Sequence, residues 1–323
     1  MRSILLPAAV CLVACSTGGD RLPPGEPRGG PPAGETQRMA PAAVSEPEPS
    51  LAQQSQPPSA ARYDLAADLE AREREAREDL GAKTATATVH DVFLLASPEG
   101  KAALHGPRDI TERALTALLN GRFAKKPARI ISVYLFGDAG RYEKYCRSRS
   151  DAPCVSPYGY YSRSERRIVM NVGLGIGTLT HELVHPLMEA DFPDAPEWLN
   201  EGIASLYEQP ILPRKGEIRG GKNWRHPRVL RALAVPAERE IARPSALLVM
   251  GDSVFRSRQE DLNYATARYV CQWLDSRNEL WPFYQRFRDG YATDPTGSVA
   301  FTAVTGLTPS EADAPWVRWV RGL

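Results

Sequence analysis

The sequence lacks an excess of charge of either sign, because its 40 lysines and arginines are matched by 39 aspartates and glutamates. The resulting net charge of +1 gives no electrostatic basis for nucleic acid as a partner. No internal repeat is visible. Histidine and cysteine are scarce, with 5 of each among 323 residues, so the spacing of each one is informative.

A long apolar run is also missing. The apolar segment at residues 4–13 is interrupted by Pro7 and is too short to span a bilayer as a helix. Because Arg2 supplies a positive charge in front of it, this segment predicts a signal peptide over residues 1–15. The sequence Leu-Val-Ala-Cys that ends at Cys15 resembles the bacterial lipobox, which implies that Cys15 is lipidated and begins the mature chain. An ordinary secretory peptide with an incidental cysteine is the alternative.

The lipoprotein interpretation also predicts a location in the cell envelope. Ser16 follows the cysteine, and a residue other than aspartate there favours the periplasmic side of the outer membrane over the inner membrane. Residues 16–62 are dominated by proline, glycine, alanine, serine, glutamate and glutamine, with almost no bulky apolar side chains. Such a segment cannot form a core, so it predicts a disordered tether in front of a folded domain at residues 63–323.

The folded domain is predicted to be α+β, with a small mixed sheet and packed helices at about 84–177 and a mainly helical subdomain at about 178–323. The expected elements of the first part are a helix at 63–81, strands at 84–95, 129–136 and 166–172, and helices at 111–123 and 138–146. The expected helices of the second part lie near 179–190, 196–209, 227–234, 244–250, 260–276 and 279–290.

The sequence Thr-His-Glu-Leu-Val-His-Pro marks the change from sheet to helices. On a helix, His181 and His185 lie on one face one turn apart, which suits two imidazole ligands of one zinc ion. Glu182 can point into the same cleft and take a proton from water. Pro186 removes the amide that would bond to the Glu182 carbonyl, so the helix is expected to kink or end just past the motif. Two ordinary polar histidines in a helix bundle are the alternative.

A catalytic zinc site has three protein ligands and one open position, so one more ligand must come from elsewhere. A second helix that runs back along the first would place Glu201 opposite the two histidines. Glu197 on the same helix competes for this role, and Glu189 and Asp191 are further alternatives.

The combination of H-E-x-x-H at 181–185 with W-L-N-E-G-x-A at 198–204 resembles the gluzincin branch of zinc metallopeptidases. The closest likeness is to the peptidase-MA-like domains of bacterial envelope proteins, over about residues 85–290. The resemblance implies a zincin-like fold, Zn²⁺ as the cofactor and Glu201 as the third ligand.

The same resemblance implies how a substrate would bind. The strand at 166–172 would edge the cleft and pair with an extended peptide or protein segment. Tyr264, on a downstream helix, would stabilise the charge that develops on the substrate carbonyl oxygen. A core tyrosine is the alternative at that position, and His226 is a weaker candidate for the same role.

Together these residues predict zinc-dependent hydrolysis of peptide bonds by a lipid-anchored envelope protein, with Glu182 as the general base. The alternative is a non-catalytic binding lipoprotein that retains the scaffold. The intact Glu182 favours the enzyme, because a binding module does not need it.

Of the remaining cysteines, Cys11 lies in the predicted signal peptide and the other three lie in the folded domain. Cys146 and Cys154 are eight positions apart in a polar segment, and in an oxidising compartment they form either a disulfide or two free thiols. Cys271 lies among apolar residues and is predicted to be buried in the core.

Overall fold

The computed structural model describes residues 63–323 of the chain. The predicted signal peptide with Cys15 and the predicted tether at residues 16–62 lie outside the described residues. The described part has a mixed five-stranded sheet, a two-stranded sheet and thirteen α-helices, which confirms the predicted α+β class with a small mixed sheet. Within this part, no helix is both long enough and apolar enough to cross a bilayer.

The main sheet has the strand order β1-β2-β3-β5-β4. Its strands are β1 (Ala85–Val89), β2 (Phe93–Ser97), β3 (Ile131–Phe136), β4 (Gly159–Ser162) and β5 (Arg167–Asn171). The central strands β2, β3 and β5 run parallel and are buried along their whole length, whereas β1 and β4 are antiparallel edge strands. Continuous burial of parallel strands is expected where helices cover both faces of a sheet.

The single strand predicted at residues 84–95 is wrong, because the structure has the antiparallel pair β1 and β2 there. The chain reverses at His90 and Asp91, whose φ angles are 48° and 66°. A tight hairpin requires this left-handed backbone, which glycine usually supplies. No glycine lies in the turn, so no residue pattern indicated the reversal.

The strand predicted at residues 166–172 is β5, and it lies inside the sheet. Its backbone is bonded to β3 on one side and to β4 on the other. The expectation that a peptide substrate pairs with this strand is therefore wrong, because both of its edges are occupied. Sequence analysis missed β4, which is the outer strand at this end of the sheet.

Helices cover both faces of the sheet. On one face, α1 (Leu65–Leu80) and α3 (Ala139–Ser150) pack on side chains such as Tyr134 and Val169. On the other face lies α2 (His105–Leu118), which starts and ends earlier than the helix predicted at 111–123. Cys146 of α3 is joined to Cys154 by a disulfide, and Cys271 is a buried free cysteine.

The rest of the domain is helical apart from the short strands β6 (Pro210–Ile211) and β7 (Arg219–Gly220). Its helices are α4 (Gly177–Asp191), α5 (Glu197–Leu206), α6 (His226–Ala234), α7 (Pro236–Arg239), α8 (Pro244–Leu248), α9 (Asp252–Phe255), α10 (Glu260–Ser276), α11 (Leu280–Gly290), α12 (Ser298–Thr305) and α13 (Pro309–Arg321). Four of these helices, α7, α9, α12 and α13, were not predicted.

Gly202 allows α5 and α10 to pack closely. A Cβ atom at this position would lie 2.7 Å from Sγ of Cys271 and 3.1 Å from the carbonyl oxygen of Ala267. The 2.7 Å contact is shorter than real Cβ atoms show and the 3.1 Å contact is tight, so a larger residue would require α10 to shift. The glycine of the N-E-G sequence therefore fixes the helix that carries Glu201 against the helical core.

Candidate metal centre

Helix α4 carries the three residues of the H-E-x-x-H sequence in the interior of the domain. His181 and Glu182 are each 1% exposed and His185 is 4% exposed. The two imidazole rings have their centroids 5.1 Å apart. Of the two outcomes expected at Pro186, a kink or an end, the second is wrong, because the helix continues through Pro186 to Asp191. Burial of nearly every residue of α4 compensates for the hydrogen bond that the proline removes.

Helix α5 brings Glu201 to the two histidines, after a short loop at residues 192–196 has reversed the chain. The Oε2 atom of Glu201 lies 3.4 Å from Nε2 of His181. One potential ligand atom from each of His181, His185 and Glu201 lies within 4.8 Å of the others. Two helices thus place two imidazoles and one carboxylate around a common point.

The side chains of His181, His185 and Glu201 offer atoms that are suited to bind a cation. Oδ1 of Asn200 lies 3.0 Å from Nδ1 of His185 and accepts its hydrogen, which leaves a lone pair on Nε2 of the neutral ring. Neither this Nε2 atom nor Oε2 of Glu201 has a hydrogen-bond partner, although both atoms are buried. Buried acceptors without donors are unfavourable, and a metal ion satisfies both at once.

The competing carboxylates are engaged elsewhere. Glu197 accepts a hydrogen bond of 2.5 Å from Arg256. Glu189 accepts from the hydroxyl of Tyr161 at 2.9 Å, and Asp191 is paired with Arg288 at 2.7 Å. Among the described residues, only His181, His185 and Glu201 form a group with metal-binding geometry.

A second buried carboxylate, Glu208, lies beside His181 on the Nδ1 side of its ring. Its Oε1 atom lies 3.6 Å from Nδ1 of His181. Arg225 holds this carboxylate through two hydrogen bonds of 2.7 and 3.1 Å, and Asn223 donates a third of 3.0 Å. A carboxylate beside the outer nitrogen of a ligating histidine orients the ring and increases its basicity. Sequence analysis missed Glu208, which lies just beyond the end of α5.

Arg256 contacts the candidate ligand Glu201 from the other side. Its Nη2 atom donates to Oε1 of Glu201 at 2.7 Å, and its Nη1 atom donates to the hydroxyl of Tyr264. Tyr264 is 1% exposed, and Arg256 connects its hydroxyl to Glu201. Arg256 was not predicted, because the short segment that carries it has no recognisable motif.

The electrostatics of the cluster favour an ionised carboxylate beside a neutral imidazole. Burial opposes charge on Glu201, but the neighbouring His185 and His181 outweigh it and hold the pKa of this carboxyl well below its ordinary value. Burial lowers the pKa of His185. Burial acts in the same direction on His181, but Glu201 and Glu182 outweigh it and raise the pKa of this ring. The lowered pKa of Glu201 and the raised pKa of His181 both indicate that positive charge beside Glu201 is favoured, and a bound cation would supply that charge.

Two further side chains complete the surroundings. Oε2 of Glu182 lies 3.9 Å from Nε2 of His185. The ring of Tyr161, on β4, is stacked against His185 with centroids 6.4 Å apart. His226 is not part of the site, because its Nε2 atom is bonded to the carbonyl oxygen of Val320 at 2.7 Å.

No protein-family model, curated protein or solved structure matches this chain.

Proposed function

We propose that this chain is a zinc-dependent peptidase of the gluzincin type with a zincin-like fold. The observation that carries the proposal is the buried convergence of His181, His185 and Glu201 with Glu182 at its edge. Two nitrogen ligands and one carboxylate are the donor set that catalytic zinc uses in several peptidases. Zinc is preferred over calcium or magnesium, because those ions favour sites made of oxygen atoms.

Each residue has a defined role in this proposal. Nε2 of His181, Nε2 of His185 and Oε2 of Glu201 hold the ion, and zinc, when bound, polarises a substrate carbonyl and acidifies water. Glu182 accepts a proton from the attacking water and delivers it to the leaving amine. Glu208 and Asn200 keep the two imidazoles in the tautomers that expose Nε2.

The outer edge of β4 is the proposed binding position for an extended peptide. This strand pairs with β5 along one side, and Tyr161 places it beside His185. Main-chain hydrogen bonds to a sheet edge would hold a peptide with little dependence on its sequence. The four site residues are at most 4% exposed, so the site lies in the interior of the domain.

The burial of the site also favours a second candidate function, a binding lipoprotein that retains the metallopeptidase scaffold without turnover. Such a protein would keep zinc as a structural ion. It would show no hydrolysis of any peptide, and substitution of Glu182 would leave its properties unchanged.

The deciding experiment measures zinc content and peptide hydrolysis in the same preparations. We expect about one zinc ion per chain in the wild type and in Glu182→Gln, because the ligands are intact. Hydrolysis by Glu182→Gln should fall by about 10²–10⁴-fold, the usual contribution of a general base. Glu189→Gln, on the same helix but bonded to Tyr161, is the matched control and should retain activity. A wild type without zinc, or equal hydrolysis by Glu182→Gln, would contradict the proposal.

We also propose that Cys15 anchors the protein by lipid to the outer membrane, on the periplasmic side. The disulfide between Cys146 and Cys154 supports an oxidising compartment. Mass spectrometry of the mature N-terminus should find a lipidated Cys15, and Cys15→Ser should move the protein from the membrane to the soluble fraction. An unmodified Cys15 in the mature chain would exclude the anchor.

A further inference from the structure

Arg256 lies directly after α9, and its guanidinium group is surrounded by three carboxylates. Its Nη2 atom lies 2.5 Å from Glu197 and 2.7 Å from Glu201, and its Nη1 atom lies 3.4 Å from Glu260. The arginine side chain is 23% exposed, whereas that of Glu201 is fully buried. The contact with Glu201 is therefore a charged hydrogen bond that is largely removed from water.

Because of this contact, the two carboxylate oxygens of Glu201 have different partners. Oε1 accepts the hydrogen bond from Arg256, and Oε2 lies 3.4 Å from Nε2 of His181 with no hydrogen-bond partner. A carboxylate that is free to rotate can bind zinc through one oxygen or through both. With Oε1 already engaged, only Oε2 is directed to the metal position.

Arg256 is itself held in place from several sides. Glu197 and Glu260 pair with it, and Tyr264 accepts a hydrogen bond from Nη1. The backbone nitrogen of Glu197 also donates to Oδ1 of Asp252 at 3.0 Å, which ties α9 to the first turn of α5. The guanidinium group is thus fixed relative to the helix that carries Glu201.

We propose that Arg256 is a positioning residue that keeps Glu201 a ligand through one oxygen. This inference rests on the proposed zinc centre. A four-coordinate zinc ion with three single-atom protein ligands retains one position for water or substrate. If Glu201 bound through both oxygens, it would occupy that position. Arg256 therefore preserves the coordination position that the proposed reaction requires.

The test uses the full-length protein, stripped of metal and then reconstituted with Zn²⁺ or Co²⁺. For Arg256→Gln we expect the dissociation constant for zinc to rise by about 10–100-fold, as for other residues that orient a ligand. The visible absorption of the Co²⁺ protein should weaken, because four-coordinate Co²⁺ absorbs more strongly than ions with higher coordination numbers. Arg256→Lys keeps one charged donor and should restore part of both properties.

Arg228→Gln is the matched control. Arg228 is also a half-buried arginine between two carboxylates, Glu238 and Asp261, but it contacts none of the candidate ligands. Its substitution should leave zinc affinity and the Co²⁺ spectrum unchanged. Glu197→Gln provides a second variant, because it removes one support of Arg256 without touching Glu201. It should shift the Co²⁺ spectrum in the same direction as Arg256→Gln, but less.

The outcomes separate this inference from the proposed function. If the wild type binds zinc and Arg256→Gln leaves both affinity and spectrum unchanged, the positioning role is overturned. The same holds if Arg228→Gln weakens zinc binding equally, because the effect would then be structural. If the wild type binds zinc but hydrolyses no peptide, the peptidase proposal fails while the role of Arg256 stands. If the wild type binds neither ion, both are overturned.

Discussion

Two buried ionic clusters lie in different parts of the domain, and they differ in which polar atoms lack a hydrogen-bond partner. The first, named here the sheet cluster, surrounds Arg167 of β5 with carboxylate oxygens at 2.6, 3.3 and 3.5 Å, from Glu75, Asp79 and Glu165. The second, named here the metal-site cluster, comprises His181, His185, Glu201, Glu208 and Arg256.

In the sheet cluster, the buried group is a cation and its carboxylate partners are partly exposed. Arg167 also lies over the ring of Tyr134, 4.6 Å from its centroid. The atom of Arg167 without a partner is Nε, a single donor on a residue whose other nitrogens are engaged. This cluster attaches α1, which has only Ala76 buried, to the sheet without any additional ion.

In the metal-site cluster, the buried atoms without a hydrogen-bond partner include two acceptors, Nε2 of His185 and Oε2 of Glu201, which come from two different helices. Buried acceptors without a donor are expected where a cation binds. The sheet cluster is therefore a structural ion-pair network, whereas the unpaired acceptors of the metal-site cluster support the proposed metal site.

The largest expected effect on stability comes from a substitution that removes the central cation of the sheet cluster. Arg167→Gln leaves several carboxylates without their common cation, and we expect the free energy of unfolding to fall by about 3 kcal/mol. The zinc content should not change, since Arg167 contacts none of the candidate ligands. Urea unfolding and elemental analysis measure the two quantities.

The neighbouring Arg166 provides the control for this substitution. It is paired with Asp68 and is more exposed, so Arg166→Gln should cost no more than about 1 kcal/mol. Loss of zinc from Arg167→Gln would show that the two clusters are not independent.

The next effect is stabilisation by metal. Zinc at a free concentration of about one hundred times its dissociation constant should raise the free energy of unfolding by about 2.7 kcal/mol. Arg167→Gln should gain the same increment, because its metal site is intact. His185→Ala should gain far less, and thermal unfolding with and without zinc measures the difference. An equal gain in His185→Ala would place the zinc elsewhere.

The sequence predicted the motif helix and the group of candidate ligands because those residues are close along the chain. His181, Glu182 and His185 need only helical periodicity to share one face. Glu201 was favoured over Glu197, Glu189 and Asp191 by resemblance. The structure engages each of those three with a partner that is distant in sequence, such as Tyr161 for Glu189.

The residues that surround the ligands were not predictable in this way. Glu208 acquires its role from Arg225, which is contributed by the start of α6, and Arg256 acquires its role from the approach of α9 to α5. These contacts depend on how the helices pack, which no local pattern encodes. The β1–β2 hairpin was missed for a different reason, since His90 and Asp91 adopt positive φ angles without a glycine.

A smaller effect, on zinc affinity, is expected from a substitution in the metal-site cluster. Glu208→Gln keeps the size of the side chain but removes the negative charge beside Nδ1 of His181, so zinc affinity should fall by about 10–100-fold. Competition with a chromophoric chelator measures the dissociation constant. Glu238→Gln removes a carboxylate from a comparable pair with Arg228 and should leave affinity unchanged. Equal affinity in Glu208→Gln would assign Glu208 to the Arg225 ion pair alone.

The smallest effect concerns the tautomer of His185. Asn200→Ala removes the acceptor 3.0 Å from Nδ1 of His185, so the metal-free ring is no longer held with its lone pair on Nε2. Zinc affinity should fall by about tenfold, the lower end for such supporting residues. Nitrogen chemical shifts of the metal-free protein should show a mixture of tautomers in Asn200→Ala and a single one in the wild type. Asn120→Ala, at the end of α2, should match the wild type, and a single unchanged tautomer in Asn200→Ala would mean that packing against Tyr161 orients the ring instead.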